Sequence, residues 1–329
     1  MVNRRQFMKG SLAVSLAPLL KGCTRPPRWE VSAYRRPERS RVAILAAQHY
    51  DSSLQEVILR GLKLFRVDVR GKTVVLKPNL VEYDPQGVIN THPAVIAAAL
   101  DAFRSLGARE VFVAEGPGHR RDNEYLLTAS GLYTVLKEYR ARYVDLDTDY
   151  ALPFTLRSHF TTFPQFYFPE TVVKADLLVS MPKLKTHHWA GVTLSLKNMF
   201  GIIPSAIYGW PKNPLHWAGI DNSIVDINST FPVRQFAIVD GIVGMEGNGP
   251  IQGEAKHCGV LILGDDLVAV DATAARLMRI EPTHVSYLTK AGQFLGNVTE
   301  EKIEQMGERI ESLQQDFRVL PRFQYLKTI

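Results

Sequence analysis

Short apolar runs rich in β-branched residues recur along the chain and are separated by longer segments with helical periodicity. Segments 53–65 and 93–106 carry apolar residues at helical spacing, which predicts two amphipathic helices. Alternating strands and helices predict an α/β fold with a mainly parallel sheet and helices on both faces. The runs that predict buried strands are 41–45, 73–77, 110–114 and 175–179.

A second set of elements follows Pro232. The pattern predicts strands at 235–240 and 259–264, a helix at 267–278 and a polar helix near 300–315. We therefore expect a large α/β domain over 41–232 and a smaller C-terminal α/β domain over 233–329.

The amino terminus has the pattern of a twin-arginine export signal over residues 1–22. Arg4 and Arg5 precede an apolar run at 11–20 that is too short to span a bilayer as a permanent helix. This pattern predicts the twin-arginine export machinery as a partner and an exported, extracytoplasmic protein. Cys23 ends a lipobox-like stretch, so lipidation and membrane anchoring, simple cleavage and an uncleaved anchor all remain open.

Charge adds little once the predicted signal is set aside. The full chain has 39 basic and 33 acidic residues, and losing four signal cations lowers its net charge from +6 to +2. The remaining excess lies in a basic, proline-containing linker at 23–40, which we expect to contact anionic membrane surfaces. Stacked aromatics among basic residues are not evident elsewhere, so the sequence does not favour nucleic-acid binding.

Cysteine is scarce, with only Cys23 and Cys258 in the sequence. A disulfide framework is therefore not expected even in an oxidising compartment. An in-chain iron–sulfur cluster or a cysteine-based zinc site is not expected either, because such sites need about four thiolates or a Cys/His set.

The segment 181–201 concentrates cationic and imidazole side chains among apolar residues, directly after the strand predicted at 175–179. Ligands of open α/β sheets bind at the carboxyl ends of strands, so this mixture predicts a pocket that binds a small anionic ligand or substrate. Polar residues in the other loops after strands are expected to join it. The expected ligand- or cofactor-binding residues are Lys77, Asn79, Thr91, His92, Lys183, Lys185, Asn198, Glu246 and Asn248.

Plainer interpretations of the same residues stay open. Thr91 is also an ordinary helix cap, and a histidine among apolar residues is often a hydrogen-bonded core residue. Lys197 has apolar neighbours that would lower its pKa, although a lysine that extends its ammonium to solvent fits equally well. His187 and His188 are adjacent, and on extended backbone only one of them enters the pocket.

Five phrases of the sequence resemble the family of domain of unknown function 362 (DUF362), whose activity is not established. The resemblance covers residues 41–295. Some members carry ferredoxin modules, and this chain departs from them because it lacks cysteine motifs. The matching phrases are at 77–80, 115–118, 181–187, 195–201 and 239–250.

A more distant resemblance is to the nickel-pincer lactate racemase family. It implies that His119 and His187 transfer protons, that Lys197 carries a covalent nickel-pincer nucleotide, and that His216 binds the nickel. The chain departs from that family at His92, which replaces an arginine near the nucleotide phosphate, and at 194–198 around the attachment lysine.

Two classes of function follow from the sequence. The first is an enzyme, racemase-like, isomerase-like or associated with oxidoreduction, that acts on a small anionic substrate with a bound nucleotide–metal cofactor. The second is an exported protein that binds an anionic ligand, or assists assembly, without turnover.

Overall fold

The architecture comes from a computed structural model that describes residues 33–34, 36–117 and 122–327. The predicted export signal, Cys23 and His119 lie outside the described residues. Within the described ranges, no helix is both long enough and apolar enough to cross a membrane.

The chain alternates strands and helices as the hydrophobic pattern predicts. The strands are β1 (Ser40–Ala46), β2 (Thr73–Pro78), β3 (Glu110–Glu115), β4 (Tyr143–Asp145), β5 (Ala151–Thr155), β6 (Gln165–Pro169), β7 (Leu177–Met181), β8 (Lys183–His187), β9 (Gly191–Thr193), β10 (Gln235–Asn248), β11 (Gln252–Gly264) and β12 (Ile303–Gly307). The helices are α1 (Leu54–Leu64), α2 (Pro93–Ser105), α3 (Asn123–Ala129), α4 (Leu132–Glu138), α5 (Glu170–Val173), α6 (Ser195–Asn198), α7 (Ser205–Tyr208), α8 (Asn213–Trp217), α9 (Ile220–Thr230), α10 (Leu267–Leu277) and α11 (Ser286–Ala291).

Ten of the described strands form one mixed sheet, with the order β12-β1-β11-β10-β7-β2-β3-β4 and with β8 and β9 branching from β10. The pairs from β10 through β7, β2 and β3 to β4 are parallel. The hairpin of β10 and β11 is antiparallel, as is the pairing of β11 with β1. The mainly parallel α/β sheet is therefore confirmed.

Helices cover both faces of this sheet. On β2, Val74 and Leu76 pack into one apolar core with α1 and α2, while Val75 packs into the other core with α9 and α10. Side chains alternate across a strand, so a strand that is apolar at every position supplies both cores. The predicted two-sided burial is confirmed.

The separate C-terminal domain expected after residue 232 is not found as a separate sheet. β10 pairs in parallel with β7 through Gln235 and Leu178, which places the second set of strands inside the first sheet. Hydrophobic periodicity identifies strands but does not identify their partners, which explains the error. The predicted polar helix near 300–315 is also wrong, because β12 and short 3₁₀ turns occupy that segment.

Candidate functional site

A cavity of about 380 Å3 opens beside the carboxyl ends of β2 and β3. The first turn of α6, the end of β8 and the tip of the β10–β11 hairpin complete its walls. Seven of the residues singled out in the sequence line it: Lys77, Asn79, His187, Lys197, Asn198, His216 and Asn248.

Lys77 forms a buried ion pair at the base of the cavity. Its Nζ donates to Glu115 at 2.7 Å, to Asn198 Oδ1 at 3.1 Å and to the Pro78 carbonyl at 3.0 Å. Burial lowers the pKa of the Lys77 ammonium, and the Glu115 carboxylate opposes that shift. The side chain of Lys77 is fully buried.

Lys212 is a second lysine in the wall, and it too has its charge compensated. Its Nζ lies 3.3 Å from Asp147 Oδ1 and donates to the carbonyls of Gly116 and Phe200 at 2.9 and 3.3 Å. Lys212 and Lys77 are therefore held by carboxylates and carbonyl groups, which leaves neither ammonium available as a free counter-charge.

Gly201 allows these ion pairs to sit directly beneath the cavity. A Cβ built at Gly201 would overlap both Glu115 Oε1 and Lys77 Nζ. The glycine that ends the 195–201 phrase is therefore required by the close approach of its backbone to the buried pair.

Lys197 differs from both of these lysines. Among the described residues its Nζ has no hydrogen bond or ion pair, and it lies 4.3 Å from the centre of the Phe200 ring. Burial, followed by the charges of Lys212 and Lys77, lowers the pKa of Lys197 to about 7. The cavity therefore contains one lysine that forms no ion pair with a described carboxylate, although the charge of Glu115, which is paired with Lys77, opposes the lowering of its pKa.

A buried carboxylate fixes the turn that carries Lys197. Asp271, on α10, accepts hydrogen bonds from the backbone N–H groups of Ser195 and Leu196 at 2.7 and 2.9 Å. These are orphan donors at the start of α6, so Asp271 serves as a cap supplied from a distant part of the chain. Burial raises the pKa of Asp271 to about 7.

His187 is a neutral hydrogen-bond donor toward the cavity. Its Nδ1 accepts from the backbone N–H groups of Trp189 and Ala190 at 3.0 and 3.1 Å, so the proton of the neutral ring lies on Nε2. Burial, then the charge of Lys197, lowers the pKa of the ring well below its usual value. A ring in this tautomer presents N–H rather than a lone pair, so it cannot act as a base in this state.

His188 and His216 have the opposite tautomer. Their Nδ1 atoms lie 2.9 Å from the Gly249 carbonyl and 3.1 Å from the Lys212 carbonyl, which can only accept. Nδ1 of each ring therefore donates to that carbonyl. Both rings line the cavity, so the expectation that only one of His187 and His188 enters is wrong. Residues 188–190 form a turn rather than extended backbone, which brings the two rings within 4.9 Å of each other.

Two polar atoms in the cavity wall are buried without a hydrogen-bond partner, Asn79 Oδ1 and Thr193 Oγ1. A buried polar group without a partner costs about 1–3 kcal/mol. Both residues line the same cavity as Lys197, so a bound ligand that reaches them with a donor for the Asn79 carbonyl and a polar group for Thr193 would satisfy them.

Several predicted site residues lie elsewhere and have structural partners. Thr91 accepts from Asn79 N and donates to the Met181 carbonyl, and the cap of α2 is His92 rather than Thr91. Lys185 is buried and donates to the carbonyls of Ile89 and Pro250 at 2.8 and 3.2 Å. These residues hold loops around the cavity without lining it.

Lys183 and Glu246 also lie outside the cavity. Lys183 pairs with Asp240 at 2.6 Å, which satisfies the strand-end carboxylate, and Glu246 pairs with Lys256 and Arg318 at 2.9 and 2.8 Å. A one-dimensional pattern cannot distinguish a lysine that points into a pocket from one that is paired behind it. His119 lies outside the described residues.

Sequence reasoning missed Glu115, Thr193 and Lys212 as cavity residues. The position of Glu115 could have predicted it, because Glu115 is the last residue of β3 and Lys77 is the second-last residue of the neighbouring strand β2. Thr193 and Lys212 had none, since the first lies in a three-residue strand and the second in a turn before α8.

The fold and the site define an α/β protein with a cavity that is lined by cationic side chains and lies at the carboxyl ends of strands in a mixed sheet. Among its described residues, no group of three or more histidine, cysteine or acidic side chains is arranged to hold a metal ion. The chain belongs to the DUF362 family, described as a domain of unknown function, whose model matches residues 74–276.

A thylakoid-associated protein of Synechocystis sp. is 26% identical over 264 residues, which cover 74% of this chain and 76% of that protein. The lactate racemase apoprotein of Thermoanaerobacterium thermosaccharolyticum is similar in structure, with a TM-score of 0.41 and 15% identity. A Thermotoga maritima protein has a TM-score of 0.40 and 17% identity. The alignments cover 68% of this chain but only 54% and 58% of those two structures.

Proposed function

We propose that this chain is an enzyme that binds a small anionic substrate in the cavity beside Lys197. The observation that carries the proposal is that Lys197 forms no ion pair with a described carboxylate, while Lys77 and Lys212 in the same wall are paired. A bound anion would supply the partner for the Lys197 ammonium. His187 donates Nε2–H to an oxygen of the substrate, and Thr193 and Asn79 bind its remaining polar groups.

The test is the affinity for oxalate, measured by isothermal titration calorimetry on the full chain. Lys197→Met keeps the apolar stem and removes the charge, so we expect affinity to fall about tenfold, the value of one charge-assisted hydrogen bond. Binding should also be tighter at pH 6 than at pH 8, because the pKa of Lys197 is about 7 and only the ammonium attracts the anion.

Lys174→Met is the matched control. Lys174 has a side chain that is 69% exposed and lies outside the cavity, so its loss should leave oxalate affinity unchanged. Equal affinities of the unmodified chain and Lys197→Met for oxalate would refute the proposed anion site.

The finer proposal concerns a racemase-like nucleotide–metal cofactor. The residues present fit it in two respects: the Lys197 amine lines the cavity without a partner among the described residues, and the His216 imidazole lines the same cavity with its Nδ1 held 3.1 Å from the Lys212 carbonyl. Lys197 would hold the nucleotide covalently and His216 would bind the nickel. When bound, the cofactor would supply reversible hydride acceptance.

Protein purified from cells able to make such a cofactor should show an added mass on the Lys197 peptide and contain nickel. Lys197→Met should lose both, whereas His216→Gln should lose nickel and keep the adduct, because attachment and metal binding use different residues. An unmodified Lys197 peptide from those cells would eliminate covalent attachment and leave the anion site standing.

The second candidate, anion binding without turnover, is favoured by one observation. In its tautomer His187 presents N–H to the cavity, so it does not offer the base that proton transfer by His119 and His187 would need. Proton exchange at the carbon next to a bound carboxylate, followed by NMR in deuterated water, separates the two candidates: exchange that depends on Lys197 indicates an enzyme.

Export and a membrane-surface contact of residues 23–40 remain part of the proposal.

A further inference from the structure

We propose that Lys197 of the cofactor-free chain forms an imine with small oxo acids, molecules that carry both a carbonyl group and a carboxylate. The inference rests on the proposed anion site, because the same cavity must hold the carboxylate. It adds a covalent activity of the protein itself. The Lys197 amine cannot hold a nucleotide and an oxo acid together, so the activity belongs to chain without cofactor.

The surroundings of Lys197 provide the conditions that an amine nucleophile needs. Its Nζ faces the cavity over the apolar face of Phe200, and no described side chain accepts a hydrogen bond from it. Burial, followed by the charges of Lys212 and Lys77, lowers the pKa of Lys197 to about 7, which leaves about half of the Lys197 amines unprotonated near pH 7.

The other lysines around the cavity lack these conditions. Lys77 Nζ has three acceptors, Lys212 Nζ lies against a carboxylate and two carbonyls, and Lys185 Nζ donates to two carbonyls. Lys77 and Lys212 each have three acceptors around Nζ, and Lys185, although burial lowers its pKa well below the usual value, does not line the cavity. The structure therefore assigns the reaction to Lys197 alone among these four lysines.

Groups in the wall can hold the second reactant. His187 Nε2–H can polarise the carbonyl oxygen, and the unpartnered Thr193 hydroxyl can bind the carboxylate. Asn79 Oδ1, also without a partner, can accept a hydrogen bond from the hydroxyl group that forms when the amine adds.

The reaction balances without a further reactant. The lone pair of Lys197 Nζ attacks the carbonyl carbon, and an amine hydrogen moves to the oxygen to give a carbinolamine. The carbon–oxygen bond then breaks, both amine hydrogens leave with that oxygen as one water molecule, and a carbon–nitrogen double bond remains. No atom is oxidised or reduced.

The experiment incubates the full chain, produced in cells without the cofactor pathway, with pyruvate and sodium cyanoborohydride, which reduces an imine to a stable amine. Peptide mass spectrometry should place the adduct on Lys197. At pH 7 its labelling should exceed that of exposed Lys174 by at least about tenfold, because an ordinary lysine is almost entirely protonated at that pH.

Acetone in place of pyruvate tests the need for an anionic group and should label Lys197 several-fold more slowly. Lys197→Met should lose the adduct, and Lys174→Met should keep it. Uniform low labelling of all lysines by pyruvate would overturn the inference, and so would equal rates with acetone. If that chain still binds oxalate in a Lys197-dependent way, the imine inference fails and the proposed anion site stands.

Discussion

At the residue scale, hydrogen-bond direction decides what the cavity histidines can do. His187 has its Nδ1 lone pair consumed by two backbone N–H groups, while His188 and His216 donate from Nδ1 to carbonyls. At Nδ1, His187 is thus an acceptor and the other two histidines are donors, because the turns that hold the three rings differ. A role in proton transfer assigned from sequence position alone would treat all three alike.

We predict that His187 stays neutral, with its proton on Nε2, from pH 6 to pH 8. Its pKa lies well below the usual value, so the folded chain binds fewer protons than the unfolded chain in acid, and folding stability falls as pH drops below about 6.5. Nitrogen-detected NMR of the imidazole reports both tautomer and titration.

His187→Ala removes the acceptor of the two backbone N–H groups and should cost about 1–2 kcal/mol in urea unfolding. His187→Asn, whose side-chain oxygen can accept from the turn, should cost less. A titration of the His187 ring with a midpoint near 6.5 would contradict the assignment.

At the element scale, α6 is the element that positions Lys197, and it is too short to be stable by itself. Its first N–H groups are held by Asp271, on a helix that begins more than seventy residues later. Leu196, the residue before Lys197, is buried in the apolar core. The orientation of Lys197 therefore depends on the packing of α10.

We predict that Asp271 makes folding stability depend on pH. Its folded pKa of about 7 lies above its ordinary value of 3.8, so the folded chain binds more protons between those values and stability is lost as pH rises toward 7. Asp271→Asn should remove that pH dependence of the folding free energy. The total change between the two pKa values is at most about 4 kcal/mol.

Urea unfolding at pH 5 and pH 8 measures the effect as the difference in unfolding free energy between Asp271→Asn and the unmodified chain. Asp265→Asn, a substitution of an exposed carboxylate in the preceding loop, controls for the loss of one negative charge. The same stability difference between Asp271→Asn and the unmodified chain at both pH values would show that Asp271 does not titrate in this range.

At the scale of the whole molecule, one sheet joins segments that are far apart in the sequence. β10 lies between β7 and β11, and β1 at the start of the described sheet lies between β11 and β12 near its end. The cavity depends on this arrangement, because Asn248 and Pro250 at the hairpin tip line it beside His187 from β8. The predicted export signal precedes this folded body.

We predict that the double substitution Arg4→Lys with Arg5→Lys retains the protein in the cytoplasm. The expectation rests on the paired arginines and the apolar run at 11–20, and twin-arginine export would carry the chain already folded. Cell fractionation measures it, with Lys9→Arg as a control that keeps the arginine pair. Normal extracytoplasmic recovery of the double variant would disprove this route.

The sequence by itself determined the elements and the fold class. Apolar runs identified β1, β2, β3 and β7, helical spacing identified α1, α2 and α10, and a loop position placed Lys77 near the cavity. These features are local, because apolar runs and helical spacing can be identified within a short stretch of sequence. They also sufficed to place Lys197 and His187 in one region.

Only the tertiary structure decided which strands pair, and with them which charges are compensated. The sheet is continuous across residue 232 because β10 pairs with β7, a contact that no local pattern encodes. Lys77 and Lys197 look alike in sequence, yet Glu115 pairs with the first and no described carboxylate pairs with the second. Charge compensation and tautomer depend on atoms within about 4 Å in space, and those neighbours come from distant parts of the chain.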